Sequence, residues 1–99
     1  MLDSQLARIV NQIKAELNNY DNEINKLLAS TYPTTTCTKL LGELRERINK
    51  YRGRLQSIID DYDPDNSRET REKLITKIHN PLISQEIKFL DWIRNAQTA

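Results

Sequence analysis

The sequence predicts an all-α protein, an elongated antiparallel bundle of three helices in up-down-up order. Two stretches each carry one narrow stripe of apolar residues spaced alternately four and three residues apart. The stripes are Leu6, Val10, Ile13, Leu17, Tyr20, Ile24 and Leu27, then Leu41, Leu44, Ile48, Tyr51, Leu55, Ile58 and Tyr62. At about 3.6 residues per turn, each series stays on one side of a helix. Each helix can therefore bury its stripe only against other helices.

Length and composition bound the class of protein. The 99 residues correspond to a single domain spanning residues 1–99, and the net charge of +1 creates no overall attraction to nucleic acid or an anionic membrane. No secretory signal and no membrane-length apolar run is seen, and the lone Cys37 excludes an internal disulfide. We therefore expect a cytoplasmic protein without membrane insertion by this segment, either complete or part of a longer chain.

The first two helices are predicted over residues 3–29 and 36–62. Asp3 is a good N-cap for the first helix, and a threonine-rich loop beginning at Ser30 separates it from the second. Thr35 or Thr36 is the expected N-cap of the second helix, and Cys37 is expected to be at least half-buried in the loop. Gly42 and Gly53 interrupt the second helix, which we interpret as close packing of a neighbouring helix rather than as a hinge.

The third helix is predicted over residues 65–80, followed by further helix over 81–96. Asp63, Asp65 and Ser67 can each cap its start, and Pro64 suits a first-turn position. Pro81 either kinks one continuous helix or begins a separate one, so a four-helix variant is the alternative architecture.

Over residues 39–54 of the second helix, basic residues outnumber acidic ones six to two. They are Lys39, Arg45, Arg47, Lys50, Arg52 and Arg54, against Glu43 and Glu46. The spacing pairs Glu43 with Arg47 and Glu46 with Lys50 along the helix, which leaves Arg45 and Arg52 without a local acid. We interpret this helix mainly as a solvated face, with Arg45 and Arg52 available to an acidic patch on a partner. Nucleic acid ranks below both because phosphate binding normally needs a denser basic stripe.

A calcium loop is the one metal site that the spacing suggests. Asp61, Asp63, Asp65, Glu69 and Glu72 occupy positions 1, 3, 5, 9 and 12 of an EF-hand pattern. Asn66 stands where glycine makes the sharp turn, Pro64 restricts the loop, and the acids also complement a helix N-terminus. His79 is the single histidine and is expected near the C-terminal end of the third helix. We predict no metal site, no cofactor and no catalytic residue.

The C-terminal segment carries more apolar surface than a bundle needs. On a helical wheel Ile83, Ile87 and Leu90 form one cluster, Leu82, Phe89 and Ile93 lie on its flank, and Trp92 is nearly opposite. This surplus either closes the end of the bundle or receives a partner, with Trp92 and Phe89 as anchors.

These observations predict a non-enzymatic module that binds another protein or a second copy of itself, as an adaptor, assembly subunit or inhibitor-type regulator. The predicted partner-binding residues are Trp92, Phe89, Ile87, Ile83, Arg45 and Arg52. At the level of fold, the length and three-helix order resemble the N-terminal helical domains of vesicle-fusion SNARE proteins, and equally small cytosolic immunity or adaptor bundles. A regulatory domain of a membrane-trafficking protein and a nucleic-acid-associated accessory subunit are the two alternatives.

Overall fold

The fold is the predicted three-helix bundle. The computed structural model describes residues 2–30 and 34–98, which form a rod of 51 × 19 × 17 Å. Helix α1 spans Ser4–Leu28 and α2 spans Thr35–Asp60. After a 3₁₀ turn at Pro64–Asn66, a third helix runs through residues 67–98. It comprises α-helical Ser67–Leu74, π-helical Ile75–His79, π-helical Leu82–Glu86 and α-helical Ile87–Thr98.

Cross-helix contacts give the helix directions. Asn25 and Asn18 of α1 contact Arg45 and Arg52 of α2, so the two helices are antiparallel. Glu16 and Glu23 of α1 contact His79 and Arg94, so the third helix runs parallel to α1. None of the described helices is both long and apolar enough to cross a bilayer.

Side-chain caps define the helix starts. The Asp3 carboxylate accepts a hydrogen bond from the Leu6 amide at 2.8 Å, and the Asp63 carboxylate accepts one from the Asp65 amide at 3.0 Å, with Pro64 in the first turn. The Asp3 cap was predicted, and Asp63 was one of three residues predicted to be able to cap the third helix. The start of α2 differs from prediction, because the Thr34 hydroxyl, rather than Thr35 or Thr36, accepts from the Cys37 amide at 3.0 Å. Cys37 thus lies buried in the first helical turn and not in a loop, since it begins the apolar stripe of α2.

The core combines the two predicted stripes with a third one. All members of the predicted stripes are buried except Leu27 and Tyr62, which are half-buried. The third helix contributes Thr70, Leu74, Ile78, Leu82, Glu86, Leu90 and Ile93.

Pro81 bends the third helix without dividing it, so the kinked alternative is confirmed. Proline has no amide hydrogen, which removes the normal partner of the Lys77 carbonyl four residues earlier. Arg54 of α2 replaces it by donating a hydrogen bond to that carbonyl at 2.9 Å. The Asn80 amide donates to the carbonyl of Ile75, five residues back, and this widened turn accommodates the proline.

The two glycines of α2 are not packing sites. A methyl group added at Gly42 or Gly53 would meet nothing within 4 Å beyond its own helix. The close-packing interpretation was therefore wrong: both positions lie on the exposed side of α2, away from the stripe that the neighbouring helices cover.

Candidate protein-binding surface

Large exposed apolar side chains concentrate on the third helix. Among the residues that the structure describes, they are Ile83, Ile87 and Trp92, which are 41%, 42% and 55% exposed. All three belong to the predicted partner-binding set. They occupy two separate flanks, as the helical wheel predicts: the isoleucines face α1, and Trp92 lies on the side of Phe89 and α2.

The first flank is a groove between α1 and the third helix, which we call the α1 groove. It has a volume of about 410 Å³. Its apolar lining is Tyr20, Ile83, Ile87 and Leu90, and its polar lining is Glu16, Asn19, Glu23, Asp91 and Arg94. Tyr20 and Leu90 are buried at its base, and the two isoleucines leave roughly two fifths of their surface open to a ligand.

Charges along the α1 groove are mostly negative. Arg94 donates to Glu23 at 2.7 Å and to Asp91 at 3.1 Å, and so holds the two acids together at one end. Glu16 lies 3.1 Å from Nδ1 of His79. Three carboxylates therefore face one guanidinium among the lining residues.

Burial and this negative environment both affect the pKa of Tyr20. Its hydroxyl donates to the Leu82 carbonyl at 3.2 Å. Burial, followed by the carboxylates of Glu86, Glu16 and Asp91, raises the pKa of Tyr20 to about 12. Both causes disfavour an added negative charge on the phenol, whereas Arg94 only partly offsets them.

The second flank is the aromatic patch formed by Phe89 and Trp92. The two rings are stacked with centroids 6.2 Å apart, and the guanidinium of Arg47 lies 4.6 Å from the centre of the Phe89 ring. Phe89 is half-buried by these contacts, while Trp92 remains on the surface. A cation and two aromatic rings thus form one continuous face of α2 and the third helix.

A buried glutamate lies beneath the aromatic patch. Glu86 is 2% exposed, and its carboxylate accepts from the Tyr51 hydroxyl at 3.3 Å and from Arg47 at 3.4 Å. Burial and the nearby Glu86 carboxylate raise the pKa of Tyr51. Sequence reasoning missed Glu86 because it is charged. Its signal was the four-residue spacing that it shares with Leu82 and Leu90.

Arg45 and Arg52 do not join either flank. Arg45 donates to the Asn25 side chain at 2.6 Å, and Arg52 binds Asn18 and Asp21, so both arginines lie against α1 on its α2 side. For Arg52, Asp21 of α1 supplies the acid that α2 itself lacks, whereas Arg45 contacts a neutral amide. Arg47, which the sequence paired with Glu43, is instead the arginine beside Phe89.

The acidic segment before the third helix has structural roles. Asp63 caps the 3₁₀ turn, and Glu69 and Glu72 pair with Lys73 and Arg68 one turn away. Within residues 2–30 and 34–98, no group of three or more His, Cys, Asp and Glu side chains is arranged to hold a metal ion. His79 lies in the middle of the continuous third helix, not near its end as expected.

Fold and surface together define an all-α three-helix bundle with two exposed apolar flanks on its third helix. Comparison with protein-family models, curated proteins and solved structures gave no significant match.

Proposed function

We propose that this chain is a non-enzymatic module that binds another protein through residues 83–94 of its third helix. The observation that carries the proposal is the confinement of Ile83, Ile87 and Trp92, the large exposed apolar residues of the described chain, to one short segment. Exposed isoleucine and tryptophan side chains gain free energy when a partner covers them. Their concentration on one helix is typical of a protein-binding surface.

The charged groups of the surface support binding over catalysis. The Glu16 carboxylate is engaged by His79, and the Glu23 and Asp91 carboxylates are both engaged by Arg94. Such pairs orient side chains on a surface. They leave no acid and base directed at a common reacting atom in the α1 groove.

The arginines of α2 favour a protein partner over nucleic acid. Arg45 and Arg52 contact α1, while Arg47 and Arg54 contact the third helix. Their guanidinium groups therefore form contacts within the bundle on two opposite flanks of α2. A phosphate backbone is better bound by a continuous stripe of basic side chains.

Affinity capture with matched variants tests this function. Full-length chain, Trp92→Ala and Ile87→Asp are immobilised and exposed to an extract of the source cells. Ser57→Asp, on the exposed side of α2, is the control for the added charge. We expect the native chain and Ser57→Asp to retain the same specific protein, and at least one surface variant to lose it. Thermal unfolding checks that every variant is folded.

Two results would contradict the proposal. One is retention of every captured protein by both Trp92→Ala and Ile87→Asp. The other is capture that is abolished by nuclease treatment, which would select the accessory subunit of a nucleic-acid complex instead.

A further inference from the structure

The shape of the α1 groove suits the packing of one more helix. Ile83, Ile87 and Leu90 have i, i+4, i+7 spacing, and they face Tyr20 of α1 across the groove. The two helices that form the groove run in the same direction. An apolar stripe on a further helix can pack between two such helices, with its own side chains between theirs.

The length of the groove matches a short helix. Its lining on the third helix extends from Ile83 to Arg94, which at about 1.5 Å per residue is roughly 16 Å, or three turns. A stripe of three or four apolar side chains on a ligand helix covers that distance.

The charges of the groove select among helices. The carboxylates of Glu16, Glu23 and Asp91 outnumber the single guanidinium of Arg94 at the edges of the apolar floor. The raised pKa of Tyr20 has the same electrostatic origin in part. Lysine or arginine flanking an apolar stripe would meet these acids, whereas glutamate would be repelled.

The same charges argue against a second copy of this chain as the occupant. In a two-fold dimer, the same patch of each subunit meets itself. Two α1 grooves joined in this way would bring six carboxylates together with two guanidinium groups, which costs free energy as the interface loses water.

We infer that the α1 groove binds a basic amphipathic helix of a partner protein, with Ile83 and Ile87 contacting its apolar stripe and the acids contacting its flanking lysines or arginines. This inference rests on the proposed function and specifies the partner for one of the two flanks. The aromatic patch is outside the groove and is not needed for this contact.

Two designed peptides test the inference. Both are helical, about four turns long, with leucines at i, i+3 or i+4, and i+7 on an alanine background. They differ only in the residues flanking the stripe, which are lysines in one peptide and glutamates in the other. Fluorescence anisotropy with the full chain gives the two dissociation constants. We expect the lysine peptide to bind at least about tenfold more tightly than the glutamate peptide, a difference of about 1.4 kcal/mol.

Variants distinguish groove binding from general charge attraction. Ile87→Asp makes the surface more acidic, so nonspecific attraction would strengthen, whereas binding in the groove would weaken by at least about tenfold. Ser57→Asp adds the same charge elsewhere and should leave the groove contact unchanged. Trp92→Ala should also leave peptide binding unchanged because Trp92 lies on the other flank.

Three outcomes would overturn the inference. They are equal binding of the two peptides or none, lysine-peptide binding that Ile87→Asp does not weaken, and a dimer in sedimentation that Ile87→Asp dissociates. The proposed function is tested separately by capture from extract. A partner that is lost with Trp92→Ala alone would sustain the function and remove only the helix-in-groove contact.

Discussion

The first two helices and the third helix bury their side chains at different intervals. In α1 and α2 the buried positions alternate between steps of four and three, as an α-helix requires. In the third helix, five successive steps are of four residues, before a final step of three. The buried positions are Thr70, Leu74, Ile78, Leu82, Glu86, Leu90 and Ile93.

Steps of four alone cannot stay on one face of a regular α-helix. Each advances the side chain about 40° beyond a full turn, so the stripe would wind around the helix. The helix contains two π-helical segments, Ile75–His79 and Leu82–Glu86. A π-helical turn contains more residues than an α-helical turn, so these segments offset the drift. Pro81 therefore does more than bend the helix, because the wider turns around it change which side chains face the core.

Trp92 shows the size of this effect. It follows Leu74 by eighteen residues, or five turns at about 3.6 residues per turn, so an unbroken α-helix would place both on the core side. In the structure, Ile93 is fully buried and Trp92 is largely exposed. The exposure of Trp92 is thus a consequence of the widened turns.

Truncating Ile93 and truncating its neighbour Trp92 should give the largest difference in the free energy of unfolding. We expect Ile93→Ala to lower the free energy of unfolding by about 2 to 5 kcal/mol because it leaves a cavity. Trp92→Ala should cost less than about 1 kcal/mol because more than half of its surface is already exposed to water. Urea denaturation followed by circular dichroism measures both. The reverse order would mean that the third helix is a regular α-helix.

Removing the partner of the buried glutamate should have the next largest effect. Arg47→Met keeps the apolar stem but leaves Glu86 with only the Tyr51 hydroxyl, and we expect a loss of about 2 to 3 kcal/mol. Arg71→Met, at an exposed arginine of the third helix, is the control. In the double variant Arg47→Met/Glu86→Met, much of the loss should be recovered. Equal losses at Arg47 and Arg71 would show that Glu86 is not in the core.

Stability at alkaline pH tests the contact between Tyr20 of the regular helix α1 and Leu82 in a widened turn of the third helix. Because the pKa of Tyr20 is about 12 in the folded chain and about 10 when unfolded, the unfolded state releases this proton first. The stabilisation is complete below pH 10 and should be lost as pH rises to 12, by about 2 kcal/mol. Denaturation at stepped pH measures the decline, and Tyr20→Phe should show a smaller one. An identical decline in both would contradict the burial of Tyr20 against Leu82.

Replacing the glycines of α2 by alanine should have the smallest effect on stability. Gly53→Ala should raise the free energy of unfolding by up to about 1 kcal/mol, since alanine favours the helix and the site is open. Gly42→Ala is an independent repeat at a second open site. A loss of stability in either variant, by the same denaturation, would reveal a close contact on that side of α2.

Sequence reasoning succeeded where a local pattern determines the structure. The stripes of α1 and α2 required only the helical period, and the caps at Asp3 and Asp63 only a short polar side chain before the first turn. Ile83, Ile87 and Trp92 were selected because the C-terminal segment has more apolar residues than a regular stripe uses. Their exposure agrees with that selection, while partner binding itself stays a prediction.

It failed where the partner lies on another helix. Arg45 and Arg52 lack an acid on α2, but Asn25, Asn18 and Asp21 of α1 contact them in the bundle. No spacing within α2 contains that information. The role of Glu86 was also missed, because a glutamate is normally solvated unless distant residues provide it with partners, as Tyr51 and Arg47 do here.

Periodicity and local backbone chemistry were enough to predict the helical class, the two regular stripes and the disturbance of the helix at Pro81 from the amino-acid sequence. The geometry of the third helix around Pro81 depends on contacts with the other two helices, which local sequence patterns do not contain. Packing of Leu82, Leu90 and Ile93 against α1 and α2 accompanies the widened turns, and Arg54 satisfies the carbonyl that the proline leaves open. That packing decides which side chains of the third helix are left exposed, and the exposed apolar ones form the candidate binding surface.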